Sequence, residues 1–561
     1  MADQDNHWRP NIRDPLADRL IGPGKPFELE RADVGGVAQE VFKGAPRNLA
    51  GLYRMGMAFG DRLAVVQDGQ QLTYDQLFAR AAALQKALCG PYGMTRGTRV
   101  AVVTSNRAEW VISLLAITGG GGIAALVNSR GAAVEMVRAM DLVACEIAIL
   151  DAERWQVIAA ANPDPAWARI IIGDGSFETL SAPEPGQTFG PQDMPAGDGA
   201  VILFTSGTTG FAKGALLSHG ALAHSATLSN FIGTLQDLRY EEETGEVLPA
   251  NRRSMATPAV ILGPMFHLGG MVPVFRAISL GTTIHIIGKW NSDIAFDMIE
   301  QVGMNRLSFV PAMLWDMLKS PRATPATLGQ VRYMINGAAP LNPALLGEIR
   351  QRMPHCLLAN TYGQTETTAW TCSISGKTYL DNPASCGWAV PTVRVSVRRD
   401  DGSQADTGEP GELWVSSAAL MNGYFGDDQA TAEALHDGWL ASGDIAIVDA
   451  AGLFTIVDRK KNLVISGGEN IYCAEVERVL ADLPGVRESI VYGLPDERMG
   501  ERLAATLVVE PGVVLNGDDV KSFCRERLAL YKVPREVFLT QRPLPRTPSA
   551  KVDRATFLRG L

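Results

Sequence analysis

An α/β fold is predicted for this 561-residue chain by three features of its sequence. Short apolar runs alternate with helical patterns from about residue 49 onward, which is typical of largely parallel sheets covered by helices. From about residue 391 the pattern becomes rich in strands and turns. Beyond the charge cluster at 458–462, roughly 100 residues mix helices and strands and are long enough to fold as a separate α+β unit.

Apolar runs predict the strands of the first region, and amphipathic periodicity predicts its helices. The predicted strands are 100–103, 146–150, 169–172, 201–204, 283–287 and 333–335. The predicted helices are 74–88, 132–140, 293–301 and 343–352. The C-terminal region predicts helices 474–482 and 517–529 and strands 488–493, 504–509 and 535–540.

Four consecutive glycines, Gly119 to Gly122, interrupt the longest uncharged stretch of the chain. They disfavour a membrane span and predict a buried connection between a helix and a strand. The polar insert 237–253 is interpreted as a solvated charged loop, and residues 1–47 as an extension that wraps over the surface.

A net charge of −10 and a pI near 5.4 argue against nucleic acid as a partner, because nucleic-acid binding usually leaves a basic footprint. Seven dispersed cysteines without a CxxC pair indicate reduced thiols and a cytoplasmic location, not a disulfide framework or a zinc site. The acidic N-terminus differs from a signal peptide. We expect no transmembrane segment, whereas peripheral membrane contact and a homodimer both stay open.

The stretch 204–214, FTSGTTGFAKG, is the most informative in the chain. Its glycines let backbone N–H groups turn inward, and its hydroxyls and lysine add donors for an anion. The pattern therefore predicts a polyphosphate-binding loop formed by Thr205, Ser206, Gly207, Thr208, Thr209, Gly210 and Lys213. It differs from the P-loop of common nucleoside triphosphatases, because Ala212 and Gly214 stand where that motif needs Gly and Ser or Thr.

Four other stretches are weak when taken singly. NTYGQTET at 360–367 offers the carboxylate of Glu366 among hydroxyls, and this donor set suits Mg²⁺. WLASGD at 439–444 places Asp444 at a glycine turn. DRKKNLVISGGENIY at 458–472 and LPRTPSAK at 544–551 present Arg459 and Lys551.

Together and in this order, the five stretches resemble the adenylate-forming superfamily of acyl-CoA synthetases, peptide-synthetase adenylation domains and luciferases. The resemblance covers about residues 49–552 and is closest to the acyl- and aryl-CoA ligases. It implies a large N-terminal domain of two α/β subdomains and a β-barrel-like subdomain, with a small mobile α+β C-terminal domain. We therefore predict an N-terminal extension 1–47, an AMP-binding domain 48–458 and a C-terminal domain 459–561.

The resemblance also implies a role for each matching residue. The 205–213 loop would hold the β- and γ-phosphates of ATP, Glu366 would bind Mg²⁺, and Lys551 would bridge the substrate carboxylate and the α-phosphate. His267 would orient the carboxylate at the mouth of the acyl pocket. The candidates for catalysis are thus Thr208, His267, Glu366 and Lys551. The candidates for contact with adenine, α-phosphate, ribose or coenzyme A are Asn336, Gly337, Ala338, Asn360, Thr361, Tyr362, Gly363, Thr365, Asp444, Arg459, Ser466, Gly467 and Gly468.

The implied reaction is ATP-dependent conversion of a carboxylic acid to acyl-AMP with release of pyrophosphate, followed by transfer to coenzyme A. Two alternatives stay open: an acyl-AMP synthetase that loads a phosphopantetheine carrier protein, and an ATP or AMP sensor without turnover. Apolar residues expected in the acyl pocket favour a hydrophobic monocarboxylate, fatty or ring-bearing, over acetate or a diacid. These residues are 266–271, 309–314, 336–339 and those near Trp370. The sequence does not fix the effect of Ala212 and Ala550, which depart from the commonest motif forms.

Overall fold

In the computed structural model, the chain divides into two units. The larger unit comprises the described residues of Asn11–Val395 and Val415–Leu440, and the smaller unit comprises those of Ser396–Trp414 and Ala441–Leu561. The domain boundaries at residues 47 and 458 remain predictions. The structure describes residues 12–205, 212–288, 290–309, 311–336, 343–368, 370–466, 469–496, 498–528, 530–547 and 552–561.

The predicted α/β class is confirmed by the order of the elements. Each strand and helix predicted for the first region is present, with ends shifted by at most about two residues, the usual uncertainty of element ends. The described α-helices of the larger unit are Asp18–Ile21, Leu49–Met57, Tyr74–Cys89, Ala108–Gly119, Ala133–Leu142, Ala152–Ala161, Ser176–Leu180, His219–Thr244, Leu268–Leu280, Ser292–Gln301, Pro311–Lys319, Pro325–Leu328, Pro343–Arg352, Gly376–Asp381 and Asp428–Ala434. Short 3₁₀ turns span Ala250–Arg252, Ser254–Ala256 and Thr365–Thr367.

The described strands of the larger unit form separate sheets. The central sheet has the order Gly423–Tyr424, Lys213–Ser218, Gly199–Thr205, Ile123–Leu126, Arg99–Val103, Ile147–Asp151, Ala168–Ile172. A second sheet has the order Ala259–Ile261, Ile284–Ile286, Leu63–Gln67, Gln70–Thr73. A third has the order Arg306–Phe309, Tyr333–Asn336, Leu357–Tyr362, Cys372–Ser375, Trp388–Ala389. Leu29–Val34 and Val37–Phe42 form an antiparallel hairpin.

The middle of the central sheet is parallel and buried on both faces. Arg99–Val103 pairs in parallel with both Ile123–Leu126 and Ile147–Asp151. Residues such as Val100, Ile149 and Leu150 are fully buried, which explains why these strands are continuous apolar runs and not alternating ones. The sheet therefore supplies a rigid platform, and the carboxyl end of Gly199–Thr205 presents the start of the predicted phosphate loop.

The glycine-rich stretch joins a helix to a strand, as the sequence predicted. Ala108–Gly119 is a buried helix, and Ile123–Leu126 is the buried strand that follows it. Gly121 has a φ of 82°, a left-handed conformation that glycine adopts without strain.

The interpretation of 237–253 as a solvated loop is wrong for its first part. Residues 237–244 are the last turns of the long helix His219–Thr244, in which Asp237 is 1% exposed. The Asp237 carboxylate accepts hydrogen bonds from Ser254 N (2.8 Å) and Tyr333 Oη (3.1 Å) and pairs with the Arg306 guanidinium. Polar sequence here reflects a buried ion pair and its partners, which satisfy the charges without water.

Residues 12–47 pack against the same long helix. Asp14 and Arg239 form a buried ion pair with an O···N distance of 2.6 Å. The ring of Phe42 stacks on His224 at 5.4 Å between centroids, and Phe27 meets Phe231 edge-on at 5.5 Å. The N-terminal segment thus covers one side of the helix with buried contacts.

The smaller unit contains a mixed sheet, mainly antiparallel, with helices packed on it. The described helices are Cys473–Ala481, Gly517–Arg525 and Arg554–Arg559, with 3₁₀ turns at Lys460–Asn462 and Leu530–Lys532. Its sheet has the order Glu469–Tyr472, Leu463–Ser466, Gly500–Val509, Val486–Asp496, and Glu536–Thr540 pairs with Gly500–Val509 in parallel. Val476, Leu480, Leu507 and Cys524 belong to its core.

The boundary between the units falls inside some strands, which therefore contain residues of both units: Val393–Arg398, Gly411–Ser417 and Trp439–Val448. In the larger unit, Leu435–His436 pairs with the start of Trp439–Val448. In the smaller unit, Phe454–Arg459 pairs with its end. None of the described helices has the length and hydropathy that crossing a membrane requires.

We expect Asp237→Asn to lower the free energy of unfolding of the larger unit by about 3 kcal/mol, because it leaves the buried Arg306 guanidinium without its counter-charge. Urea denaturation followed by fluorescence measures the change. The matched control is Glu184→Gln, which breaks the exposed ion pair with Lys86 and should cost less than about 1 kcal/mol. Equal costs for the two variants would contradict the assignment of Asp237 as a buried anchor.

Burial lowers the pKa of His219 and of His224 to about 4, with nearby Asp198 opposing the shift at His219 and nearby Arg47 adding to it at His224. Both histidines are therefore neutral in the fold but bind protons in the unfolded chain below its ordinary pKa near 6.5. We expect stability to fall as pH drops from 6.5 towards 4, by up to about 1.4 kcal/mol per pH unit for each histidine.

Unfolding midpoints at several pH values between 7 and 4.5 measure that slope. In the double variant His219→Gln, His224→Gln, the number of protons taken up on unfolding should fall by about two, and the slope should fall with it. The variant of the exposed His355, His355→Gln, should leave the slope unchanged. An unchanged slope in the double variant would show that other groups set the acid sensitivity.

Candidate functional site

Two antiparallel strands fix both ends of the predicted phosphate loop. Gly199–Thr205 enters it and Lys213–Ser218 leaves it, with Thr205 and Lys213 directly opposite each other. Thr205 Oγ1 lies 3.5 Å from the Lys213 carbonyl oxygen. The predicted residues Ser206, Gly207, Thr208, Thr209 and Gly210 lie outside the described residues. Thr205 and Lys213, at the two ends of the loop, are thus brought side by side.

Glu366 lies on the 3₁₀ turn Thr365–Thr367, just beyond the strand Leu357–Tyr362. Its carbonyl oxygen accepts a hydrogen bond from Met421 N at 2.8 Å, which fixes the turn to the segment before Gly423–Tyr424. A single carboxylate at a strand end matches the way Mg²⁺ is bound, by one or two carboxylates with phosphate oxygens and water as the other ligands. The donor chemistry at Glu366 therefore fits Mg²⁺ brought in with ATP.

Tyr424 connects these two predicted residues, and the sequence reasoning missed it. Its Oη donates a 2.8 Å hydrogen bond to Glu366 Oε1, and the Lys213 ammonium lies 5.0 Å from the centroid of its ring. The strand Gly423–Tyr424 joins the edge of the central sheet, where Tyr424 is opposite Ala215. No local sequence pattern indicates these contacts, because Tyr424 follows Glu366 by 58 residues and Lys213 by more.

The backbone beside Glu366 is strained. Thr368 has a φ of 53°, and a β-branched residue rarely adopts this left-handed region. Its carbonyl oxygen accepts a 3.0 Å hydrogen bond from Ser225 Oγ on the long helix. Thr361 and Thr368 each bury Oγ1 without a hydrogen-bond partner among the described residues. Such strain is characteristic of functional sites and persists only where surrounding contacts impose it.

The predicted adenine residues lie on neighbouring strands of the third sheet. Asn336 and Asn360 are directly paired in parallel register, while Gly337 and Ala338 fall outside the described residues. Asn360 Nδ2 donates to Ser385 O at 2.8 Å, and Tyr362 Oη accepts from Gln364 Nε2 at 2.7 Å. These contacts fix the orientation of the Asn360 amide and the Tyr362 ring. Gly363 and Thr365 follow on the same stretch.

His267 precedes the helix Leu268–Leu280 and is half-buried. Its carbonyl oxygen accepts hydrogen bonds from Gly270 N and Met271 N, both at 3.0 Å, and its ring meets Phe266 edge-on at 4.6 Å. A Cβ on Gly270 would collide with the Pro264 carbonyl oxygen. Gly270 is therefore required by the turn itself and does not simply leave room for an acyl chain.

In the smaller unit, the predicted ribose residues form an ion pair. Asp444 and Arg459 are opposite each other on paired strands, with 3.0 Å between Asp444 Oδ1 and Arg459 Nε. The Asp444 side chain is 4% exposed, whereas that of Arg459 is 53% exposed. Asp444 N donates to Ser442 Oγ at 3.1 Å. The glycine turn predicted at Asp444 is not formed, because Gly443, with a φ of 69°, and Asp444 lie within the strand Trp439–Val448.

Asp458, the residue before Arg459, holds the connection into the following helix. Its Oδ2 accepts from Ala474 N at 2.7 Å, and its Oδ1 accepts from Arg459 N (2.7 Å) and Asn462 Nδ2 (3.3 Å). Burial raises the pKa of this carboxyl group. Among the predicted coenzyme A residues, Ser466 ends the strand Leu463–Ser466, and Gly467 and Gly468 lie outside the described residues.

Lys551 also lies outside the described residues, but its neighbours in the chain are fixed. Arg546 and Val552 form an antiparallel bridge, and Asp553 N donates to Pro545 O at 2.7 Å. Arg546 pairs with Glu488 at 2.8 Å. The segment that carries the predicted catalytic lysine therefore starts and ends at one place on the smaller unit.

Comparison with known proteins agrees with these groupings. Residues 54–425 match the model of the AMP-binding enzyme family, and residues 475–551 match the AMP-binding enzyme C-terminal domain. The chain is 33% identical to feruloyl-CoA synthase of Amycolatopsis over 87% of its length and 94% of the relative. It is 30% identical to 2-succinylbenzoate–CoA ligase of Bacillus cereus over 88% of its length and 94% of the relative.

Two solved structures are similar over nearly their whole length. One is o-succinylbenzoate CoA synthetase (MenE) from Bacillus subtilis in complex with the acyl-adenylate intermediate, at 26% identity and a TM-score of 0.76 over 90% of this chain and 97% of that one. The other is ATP-bound MatB from Rhodopseudomonas palustris, at 27% identity and a TM-score of 0.78 over 91% and 98%. The chain therefore belongs to the AMP-binding enzyme family and is an AMP-forming acid–thiol ligase, which uses ATP and Mg²⁺ to convert a carboxylic acid to its acyl-adenylate and transfers the acyl group to coenzyme A.

Proposed function

We propose that this ligase activates a ring-bearing, predominantly hydrophobic carboxylic acid. The main support is that the acyl groups named for two relatives, feruloyl and 2-succinylbenzoate, both contain a benzene ring. The acid bound as its adenylate in the similar MenE structure is again succinylbenzoate. This proposal narrows the range of fatty and ring-bearing acids that the sequence favours.

The residues expected around the acyl group support a bulky apolar substrate. None of the segments 266–271, 309–314 and 336–339 contains a charged residue. Phe309 is 2% exposed and meets the Trp290 ring edge-on at 5.2 Å, and Trp370 Nε1 donates to Ser229 Oγ at 3.3 Å. Aromatic side chains in fixed orientations suit a flat ring, since apolar pockets discriminate by shape more than by charge.

The larger unit supplies, in this proposal, contacts to the phosphates, the metal and the adenine. In the larger unit, the 205–213 loop binds the β- and γ-phosphates, Glu366 binds Mg²⁺, and Thr365 contacts the α-phosphate. Asn360, Tyr362 and the segment from Asn336 to Ala338 enclose the adenine, with Thr361 and Gly363 between the first two. Mg²⁺ supplies positive charge that offsets the developing charge on the pyrophosphate leaving group. The proximity of Thr205, Lys213 and Glu366 supports these assignments.

In the smaller unit, Asp444 and Arg459 are proposed to bind the ribose hydroxyls. Lys551 neutralises charge between the carboxylate and the α-phosphate, and the turn from Ser466 to Gly468 admits the pantetheine arm. His267 orients the substrate carboxylate from the larger unit. We also propose that the chain pivots at Asp458 between the two half-reactions, as the resemblance to the family implies.

A cytoplasmic location is also proposed. It is supported by the seven cysteines, which form no disulfide bond with one another in the structure, and by burial raising the pKa of Cys145 and Cys473 to about 12. Thiol titration of the denatured protein should count seven free thiols. Light scattering on the native protein distinguishes a homodimer from a monomer.

The substrate proposal predicts the order of reactivity in a panel of acids. With coenzyme A and Mg·ATP, we expect kcat/KM for cinnamate-type and alicyclic acids to exceed that for acetate and malonate by at least about 10-fold, because small acids leave apolar contacts unmade. Medium-chain fatty acids should fall between. AMP release measures each rate, and a phosphopantetheinylated carrier protein in place of coenzyme A tests the acceptor. Highest activity with acetate or malonate would contradict the proposal.

Lys551→Ala should lower acyl-AMP formation by roughly 100-fold or more, because the charge between the two anions is no longer neutralised. Pyrophosphate release measures this step. Thioester formation from supplied acyl-AMP and coenzyme A should stay within about 2-fold of wild type, because that step no longer requires the two anions to approach. The control is Lys521→Ala, on the helix Gly517–Arg525 of the same unit. Equal loss of both half-reactions in Lys551→Ala would contradict its assignment.

A further inference from the structure

Tyr424 is held firmly at the edge of the central sheet. Its backbone N donates to Thr431 Oγ1 at 2.8 Å, and the following residue, Phe425, donates from its N to the Gly214 carbonyl at 2.7 Å. Gly423, just before it, has a φ of 144°, and a Cβ there would press against Thr431 at 2.7 Å. The backbone that carries the Tyr424 side chain therefore has little freedom to move.

The two ends of this side chain reach the two charged residues of the larger-unit site. The hydroxyl donates to Glu366 Oε1 at 2.8 Å, and the ring lies 5.0 Å from the Lys213 ammonium. A hydrogen bond to a carboxylate is charge-assisted and sets the orientation of the group. The ring face attracts the ammonium without neutralising it, because the attraction comes from the ring quadrupole.

Tyr424 also keeps these oppositely charged groups from forming an ion pair with each other. Lys213 and Glu366 are both described, and they form no direct ion pair with each other; the phenol contacts both instead. A direct ion pair would occupy the carboxylate that a metal needs and the ammonium that a phosphate needs. Groups that orient a metal ligand from outside the coordination shell have large effects on metal affinity.

We propose that Tyr424 is a positioning residue for acyl-adenylate formation: its hydroxyl orients Glu366 towards Mg²⁺, and its ring holds Lys213 at the exit of the phosphate loop. The inference rests on the proposed roles of Glu366 and Lys213. Tyr424 acts through both of these residues. Its hydroxyl and its ring make separate contributions, which different substitutions remove. Tyr424→Phe removes the hydrogen bond and keeps the ring, whereas Tyr424→Leu removes both.

The test measures binding without turnover. Mn²⁺ replaces Mg²⁺, and its binding to the enzyme with ATP, in the absence of acid and coenzyme A, is followed by electron paramagnetic resonance. Tyr424→Phe should weaken Mn²⁺ binding roughly 10-fold. Pyrophosphate binding without metal, measured by calorimetry, should stay within about 2-fold for the Phe variant. For Tyr424→Leu we expect roughly 5-fold weaker pyrophosphate binding, because the ring no longer holds the ammonium.

Tyr240→Phe is the matched control, because it removes a tyrosine hydroxyl that donates to Glu246 at 2.6 Å in the same unit. It should leave Mn²⁺ binding unchanged. Thermal unfolding of each variant confirms that it is folded; should Tyr424→Leu not fold, Tyr424→Phe alone decides the metal arm. Thioester formation from supplied acyl-AMP should be unaffected by Tyr424→Phe.

Glu366→Gln separates the two ways in which the inference can fail. If it weakens Mn²⁺ binding and Tyr424→Phe adds nothing further in that background, the tyrosine acts through the carboxylate as proposed. If Glu366→Gln weakens binding but Tyr424→Phe alone does not, the positioning role is overturned and the metal assignment stands. If Glu366→Gln leaves Mn²⁺ binding unchanged, the metal assignment itself falls and takes the inference with it.

Discussion

The buried carboxylate of Asp237 is the contact on which the arrangement of the larger unit depends. It joins the long helix His219–Thr244 to Arg306 and Tyr333 on adjacent strands of the third sheet, and to Ser254 in the connection between them. The Arg306 guanidinium also lies over the Tyr333 ring, 3.6 Å from its centroid. A buried charge that is paired and hydrogen-bonded in this way tolerates few alternative packings, so the helix and the sheet keep one register.

The position of the long helix also affects the site, because the helix holds strained backbone next to Glu366. Ser225 donates to the carbonyl of Thr368, and His224 Nε2 lies 2.8 Å from Thr392 Oγ1. Both threonines have positive φ, 53° and 72°, at a cost of about 1–3 kcal/mol each. Successive residues of one helix thus hold the two strained residues, and the N-terminal segment packs on the same helix through Phe42.

The sequence predicted most of the helices and strands and identified the segments proposed for the site, and the predictions that failed have physical reasons. Continuous apolar runs identified the buried parallel strands, because such strands have no polar face. The 237–253 insert was misinterpreted because Asp237 and Arg239 look solvated until their partners, Arg306 and Asp14, are known. Tyr424 was missed for the same reason. Pairing between residues far apart in the chain leaves no local periodicity for a sequence pattern to show.

Separate contacts fix the backbone and the side chain of Glu366. Met421 N fixes the carbonyl of Glu366, while Tyr424 Oη fixes one oxygen of its carboxylate. Both donors come from one short segment beside the edge of the central sheet, where Phe425 N also bonds the strand that leaves the phosphate loop. A displacement of that segment would therefore disturb Glu366, the proposed metal ligand, and the loop lysine together. The Lys213 ammonium contacts the Tyr424 ring, which leaves it available for the contact with pyrophosphate that we propose.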